Sequence, residues 1–373
     1  MIKAALLACL LLGSACSSAA PYTSRPGSYD MVPIAWDADL LAARRALDSE
    51  DYRTAHDLVL GLVRQAPYLI PVRVLLQDLE LGLLFRGEKV GLGLALAEGS
   101  NYAAELGDRY RQRAEDTPSA VEYVLAARLA PDREEALKLL EEALALDPEC
   151  VWAHYARAWW AVRERLFPEA REAVEAAFAI DGGHLPSMRL QASLLAAGGE
   201  TPEATHCLRT WLERTLGSPL VDPGEYAEAQ VDLASLHILA GDDGQALRTL
   251  GGVNVAVLID PARTELVRAV ALAARGNSSA ALKSAEHASA MDSMGLFPLV
   301  YRAMLMQRAG DIEAERSAWK SLLAQAQAEL QPQPLGGLEL AQPVDFSSLL
   351  LELRAHARLG RIEQQYGPAP LQE

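Results

Sequence analysis

Apolar residues recur along most of this chain at three- and four-residue steps, and period-two alternation of β-branched residues is scarce. In "ALKLLEEALALDP" at 136–148, Ala136, Leu140 and Ala143 fall on one side of a helix and Pro148 ends it. "AHDLVLGLVRQAP" at 55–67 repeats that frame with Ala55, Val59, Leu62 and Pro67. Glu134 and Lys138 stand one turn apart, as an exposed helical ion pair would. The pattern predicts an all-α chain. Composition points the same way: 50% of the 373 residues are hydrophobic but only 6% aromatic, so Ala and Leu make up the bulk. Both head the helix-propensity ranking.

Self-similarity then sets the organisation. "ASLLAAGGETPEA" at 192–204, "ASLHILAGDDGQA" at 234–246 and "AVALAARGNSSAA" at 269–281 share Ala, then Gly seven residues on, then Ala five further. "AMLMQRAGDIEAE" at 303–315 keeps the first Ala and the Gly. "AWWAVRERLFPEA" at 158–170 and "ARRALDSEDYRTA" at 43–55 keep both alanines. Ala158, Ala192, Ala234, Ala269 and Ala303 are spaced by 34, 42, 35 and 34 residues, and the turn-rich "LGSPLVDP" at 216–223 accommodates the longer interval. The alanines mark close helix approach, and the glycine marks a turn that needs positive φ.

A 34-residue period with this small–Gly–small pattern resembles the tetratricopeptide repeat. The resemblance implies an all-α, right-handed superhelical solenoid of about seven to eight helix pairs, closed by a C-terminal capping helix. Repeats are expected to begin near residues 36, 117, 151, 185, 227, 262 and 296, within an array over 36–330. Residues 70–116 are helical in composition but degenerate. "QPQPLGGLELAQP" sits in a Pro/Gly-rich linker over 331–345, and 346–373 holds the cap and tail. The position before the first small residue, usually Leu in that family, is Arg157, Gln191, Arg268 and Arg302 here, and Leu only at 233.

The first apolar run stands apart from this array. Lys3 precedes the uncharged stretch Ala4–Leu12, and Gly13, Ser14 and Ala15 are small. Such a run is too short for a bilayer core of about 30 Å, which takes about 20 helical residues, and it has the layout of a signal peptide. Leu12-Gly13-Ser14-Ala15-Cys16 resembles the lipobox of bacterial lipoproteins, with Gly13 departing from the commoner Leu, Val or Ile. The resemblance implies cleavage after residue 15 and lipidation of Cys16. The alternative is an ordinary secretory signal with an incidental cysteine. Residues 16–35, rich in Ser, Pro, Ala and Gly, read as a flexible tether. With no Asp after Cys16, the expected place is the outer membrane, facing the periplasm, and the membrane partner is reached through the lipid.

Charge and motifs narrow the function. The formal net charge is −16, from 34 Lys+Arg against 50 Asp+Glu, which opposes nucleic-acid binding. The seven histidines are scattered over different repeats, and no HExxH, GxSxG or P-loop occurs. No catalytic residue, metal site or cofactor is expected. Cys150 and Cys207 belong to helices too far apart to bridge and should be free thiols.

The most informative local feature is "VWAHYARAWWAV" at 151–162. Trp152, Tyr155, Trp159 and Arg163 share one helical face, and Trp160 falls on another. Counted from the small residue, the first four take positions that line the concave groove in tetratricopeptide families, as do Val121, Leu125, Arg189, Val231 and Leu266. Either the cluster is core, or it floors a groove for a peptide segment or partner protein. The resemblance implies a protein-binding scaffold or envelope assembly factor. A small-ligand carrier serving a solute transporter, with an enclosed apolar pocket, is the other reading.

Overall fold

The computed structural model describes residues 32–86, 88, 102–258, 260–291, 296–329 and 346–366. The expected leader, Cys16, and the 331–345 segment lie outside them. Among the described residues the chain is all α, with 17 α-helices. They are α1 (Asp37–Asp48), α2 (Tyr52–Gln65), α3 (Ile70–Phe85), α4 (Tyr102–Asp116), α5 (Ala120–Arg128), α6 (Arg133–Leu146), α7 (Val151–Arg163), α8 (Phe167–Ile180), α9 (Leu185–Ala197) and α10 (Thr201–Thr215). They continue as α11 (Pro223–Leu239), α12 (Asp243–Gly251), α13 (Pro261–Ala274), α14 (Ser278–Met291), α15 (Leu296–Ala309), α16 (Ile312–Glu329) and α17 (Phe346–Tyr366). A 3₁₀ turn at Ile34–Trp36 leads into α1.

Local chemistry explains the boundaries. Asp51, Ser119, Asp132 and Asp242 each cap a helix by accepting a hydrogen bond from the backbone N–H three residues on. Proline follows the C-termini of α2 and α6 at Pro67 and Pro148, where a further turn would lack a donor. Inside six of the pairs the connecting turn adopts positive φ at one equivalent position. Glycine fills it four times, at Gly199, Gly241, Gly276 and Gly310, as the repeat pattern requires. Glu50 and Arg165 take the same conformation without being glycine.

The solenoid is a run of pairs, an odd helix followed by an even one. Each even helix packs on its own partner and on the next odd helix. Odd helices also touch one another across pairs, α3 with α5, α5 with α7, α7 with α9, and α11 with α13. The odd helices therefore line the shorter, inner side. Ala43, Ala158, Ala192, Ala234, Ala269 and Ala303, the small positions of the repeat, are all fully buried where the helices cross.

Two long-range closures shape the array further. The 216–222 connection between α10 and α11 returns to the start of the chain. Leu220 packs against the core of α1–α3, and Arg44 Nη1 of α1 reaches Asp222 Oδ2 at 2.5 Å. At the other end α17 packs on α16 but does not stop at capping it. It reaches back to α11, where Arg354 donates to the Ile238 carbonyl at 3.3 Å and faces Asp243.

Candidate functional site

The inner face is built from side chains that the odd helices present towards one another. On α7, Trp152 is buried rather than open. Its ring meets Tyr155 and His184 edge to face, with centroids 5.7 and 4.9 Å apart. His184 caps α9, its Nδ1 lying 2.7 Å from the Ser187 hydroxyl, and burial pushes the imidazole down to about 3. That half of the cluster is core. Tyr155 and Trp159 are half-buried as residues, with the Tyr155 phenol on the buried side. Trp159 stands edge-on to Trp160, and the Arg163 guanidinium lies 5.8 Å from the first ring and 5.1 Å from the second.

Tyr155 marks the place where four odd helices converge. Burial, and after it the Glu225 carboxylate of α11, pushes its phenol up to about 12, while Arg128 of α5 and Arg189 of α9 pull the other way. Those charges belong to a ladder running along the inner side. Arg73 of α3 is paired with Glu122 of α5 at 2.8 Å. Arg128 of α5 donates to Gln77 and Asp78 of α3, both at 2.7 Å. Arg189 of α9 binds Glu225 at 2.8 Å and Asp232 at 3.5 Å, both on α11. Asp232 in turn is paired with Arg263 of α13, which also holds Glu228 at 2.6 Å.

This arrangement changes how the nine groove candidates are read. Val121, Leu125, Val231 and Leu266 are not groove residues: they are 5%, 0%, 0% and 0% exposed. Each lies among the buried residues of the stack, where an apolar side chain is excluded from water. Arg189 is 9% exposed, and its guanidinium sits 4.9 Å from the Trp211 ring while both ends are ion-paired. It ties α9 to α11 more than it offers a contact. Tyr155, Trp159 and Arg163 remain at the face, with Arg128, Glu225, Glu228 and Arg263 beside them. The sequence reading missed the ladder because its partners stand 31 to 51 residues apart. Nothing in a single sequence distinguishes such charges from an ordinary solvated helix face.

Among the described residues, no group of three or more His, Cys, Asp or Glu side chains gathers as a metal would need. No helix among them is long and apolar enough to cross a membrane. Cys150 is buried and Cys207 half-buried, and no disulfide joins them.

No protein-family model matches the chain, and no curated protein is similar to it. Solved structures similar to it include three helical-repeat examples. A tetratricopeptide repeat protein from Parabacteroides merdae is 14% identical over 73% of this chain and 100% of that one, with a TM-score of 0.41. Yeast Tom70 is 14% identical over 90% of this chain and 61% of its own, with a TM-score of 0.37. The Naa15/Naa10 complex bound to HypK is 16% identical over 88% of this chain and 51% of that one, with a TM-score of 0.35. These likenesses are distant, and the assignment rests on the helices themselves: the chain is an all-α solenoid of repeated helix pairs.

Proposed function

We propose that this protein is a binding scaffold of the bacterial envelope that takes an extended segment of a partner protein along its inner face. The observation that carries this reading is the inner face at α7. There Trp159 and Arg163 are half-buried beside the packed Tyr155, between helices that the charge ladder ties together. Preformed aromatic and arginine side chains on a rigid frame are the ingredients of binding hot spots. The N-terminal residues support attachment through a lipid on Cys16, and outer-membrane placement facing the periplasm goes with that reading. A binding role, with no catalysis, goes with this reading: the titratable groups of the inner face are taken up in ion pairs between helices.

A small-ligand carrier needs an enclosed apolar chamber near Tyr155. Two clefts among the described residues, one along α4 and one between α8 and α10, border neither Tyr155 nor Trp159. The extended-segment reading is therefore preferred.

The test places a photo-crosslinking residue at Trp159 in one strain and at exposed Glu172, on the outer side, in another. A discrete adduct that forms from position 159, is absent from position 172 and disappears in an Arg163→Glu background is expected. Identical adducts from both positions would sink the proposal. Palmitate labelling of the wild type and of Cys16→Ser tests the anchor separately, and equal labelling would remove it.

A further inference from the structure

The outer side of the solenoid carries a second surface. Between α8 and α10, both even helices, lies an open cleft of about 830 Å³. Its floor is α9, which contributes Met188, Gln191 and Leu195; Phe178 and Ala179 stand on one wall and Pro202 and Cys207 on the other. Even helices pack on odd ones and leave a slot between themselves. The slot is largely apolar along its bottom, with Gln191 its polar exception: Met188 is buried, and Leu195, Phe178 and Cys207 are half-buried. Cys207 is spoken for, its thiol donating to the Met188 carbonyl at 3.1 Å, with burial pushing it up to about 11. It packs there and does not react.

Of the side chains that line the slot, the charged ones are acidic, while Arg171 of α8 is held nearby by Glu200. Glu175 stands on the α8 wall and Glu203 on the α10 wall, both exposed, and no Lys or Arg lines it. An apolar trough between helices, flanked by a carboxylate on each side, selects its occupant by two criteria. The occupant needs an apolar stripe at helical spacing for Met188, Leu195 and Phe178, and a cation on either side of that stripe. We infer that the α8–α10 cleft is a docking site for a basic amphipathic helix of a partner protein, separate from the inner face. The formal charge of −16 on the whole chain favours the same sign of partner.

The probe is a fluorescein-labelled synthetic helix of about four turns, with Leu at i, i+3, i+4 and i+7 and Lys on both flanks, followed by fluorescence polarisation. Two controls accompany it: a Leu-free Lys helix, and a helix with the same Leu stripe but Glu flanks. Glu175→Lys/Glu203→Lys changes only exposed wall residues, and Ala179→Trp fills the slot from an exposed position. The Leu/Lys helix is expected to bind the wild type, to weaken by about tenfold or more on the charge reversal and to lose binding to Ala179→Trp. The Glu-flanked helix should gain affinity for the charge-reversed protein. Circular dichroism confirms that each variant keeps its helix content.

Equal binding of the Leu-free Lys helix would overturn the proposal, because it would reduce the effect to diffuse charge attraction. Unchanged affinity in both variants would overturn it too. So would wild-type dimers that Ala179→Trp dissociates, since the slot would then belong to a second copy. Trp159→Ala should leave the probe's affinity unchanged, so failure here and failure at the inner face are read independently.

Discussion

At residue 165 the chain turns through positive φ with an arginine where four sister turns use glycine. A Cβ in that region costs about 1–2 kcal/mol, partly offset by the entropy a glycine adds to the unfolded chain. Arg165→Gly is therefore expected to stabilise the protein by roughly 0.5–1 kcal/mol, read from urea melts. In the opposite direction, a Cβ at Gly241 would meet nothing within 4 Å, so Gly241→Ala isolates the backbone effect. It should destabilise by about 1 kcal/mol. A shift of the wrong sign in either variant would mean that packing, not φ, governs the turn. These turns were legible in the sequence, because Ala–x₆–Gly–x₄–Ala is a local pattern that repeats. Their exceptions at Glu50 and Arg165 were legible too, once the alanines fixed the frame.

His184 carries a second prediction at this scale. Its ordinary value is 6.5, and burial lowers it to about 3 in the folded chain. Between those limits the unfolded chain takes a proton that the folded chain refuses. The contribution is complete above the higher value and is lost as pH falls towards the lower one, at about 1.4 kcal/mol per pH unit. From pH 7 to pH 5 this histidine alone should cost the wild type on the order of 2 kcal/mol. His184→Asn keeps a helix-capping side chain and should lose that much less over the same interval. Urea melts at the two pH values compare the slopes, and parallel slopes would show that His184 is not the group being titrated.

At the scale of helices, the inner ladder has its weight on Asp232. It is 1% exposed and lies between Arg189 of α9 and Arg263 of α13. Asp232→Ala removes the carboxylate the two arginines share, leaving Arg189 on Glu225 and Arg263 on Glu228, and should cost about 1–3 kcal/mol in chemical unfolding. Replacing Glu228, Asp232 and Arg263 together with Gln, Leu and Met, which leaves Arg189 on Glu225, should cost less, because the penalty comes from breaking the set and not from lacking it. A triple variant as unstable as the single one would mean that the ladder contributes net attraction of its own. The sequence concealed this element. Helical period and small residues indicated the all-α repeat, but the same counting put Val231 and Leu266 on an open face. The rule knows which residues share a stripe; it does not know how deeply the next pair covers that stripe.

Over the whole molecule, solenoid stability is usually a sum of neighbour contacts, so removing an end loosens only the adjacent repeat. Here α17 packs on α16 and also on α11. Deleting residues 346–373 uncovers the sites of Leu350, Leu351, Ala355 and Ile362, all 0–1% exposed. Hydrogen exchange should then quicken in α16 and, separately, at the C-terminal turn of α11, with the helices between them less affected. Loss confined to α16 would reduce α17 to the simple cap that the sequence predicts. Nothing in the sequence announced the return to α11, because contacts over 116 residues leave no periodic trace.

The same two closures alter how the molecule would carry a load. Arg44 is fastened to Asp222, which caps the start of α11, and Arg354 is fastened to Ile238 and Asp243 at its end. A stack of helix pairs pulled from its ends ordinarily stretches like a spring, each interface opening a little. In this chain tension entering at the first helix and leaving at the last has a shorter route, straight down the length of α11. That helix is a tie rod: the repeats on either side are spared extension until one of its two fastenings gives way.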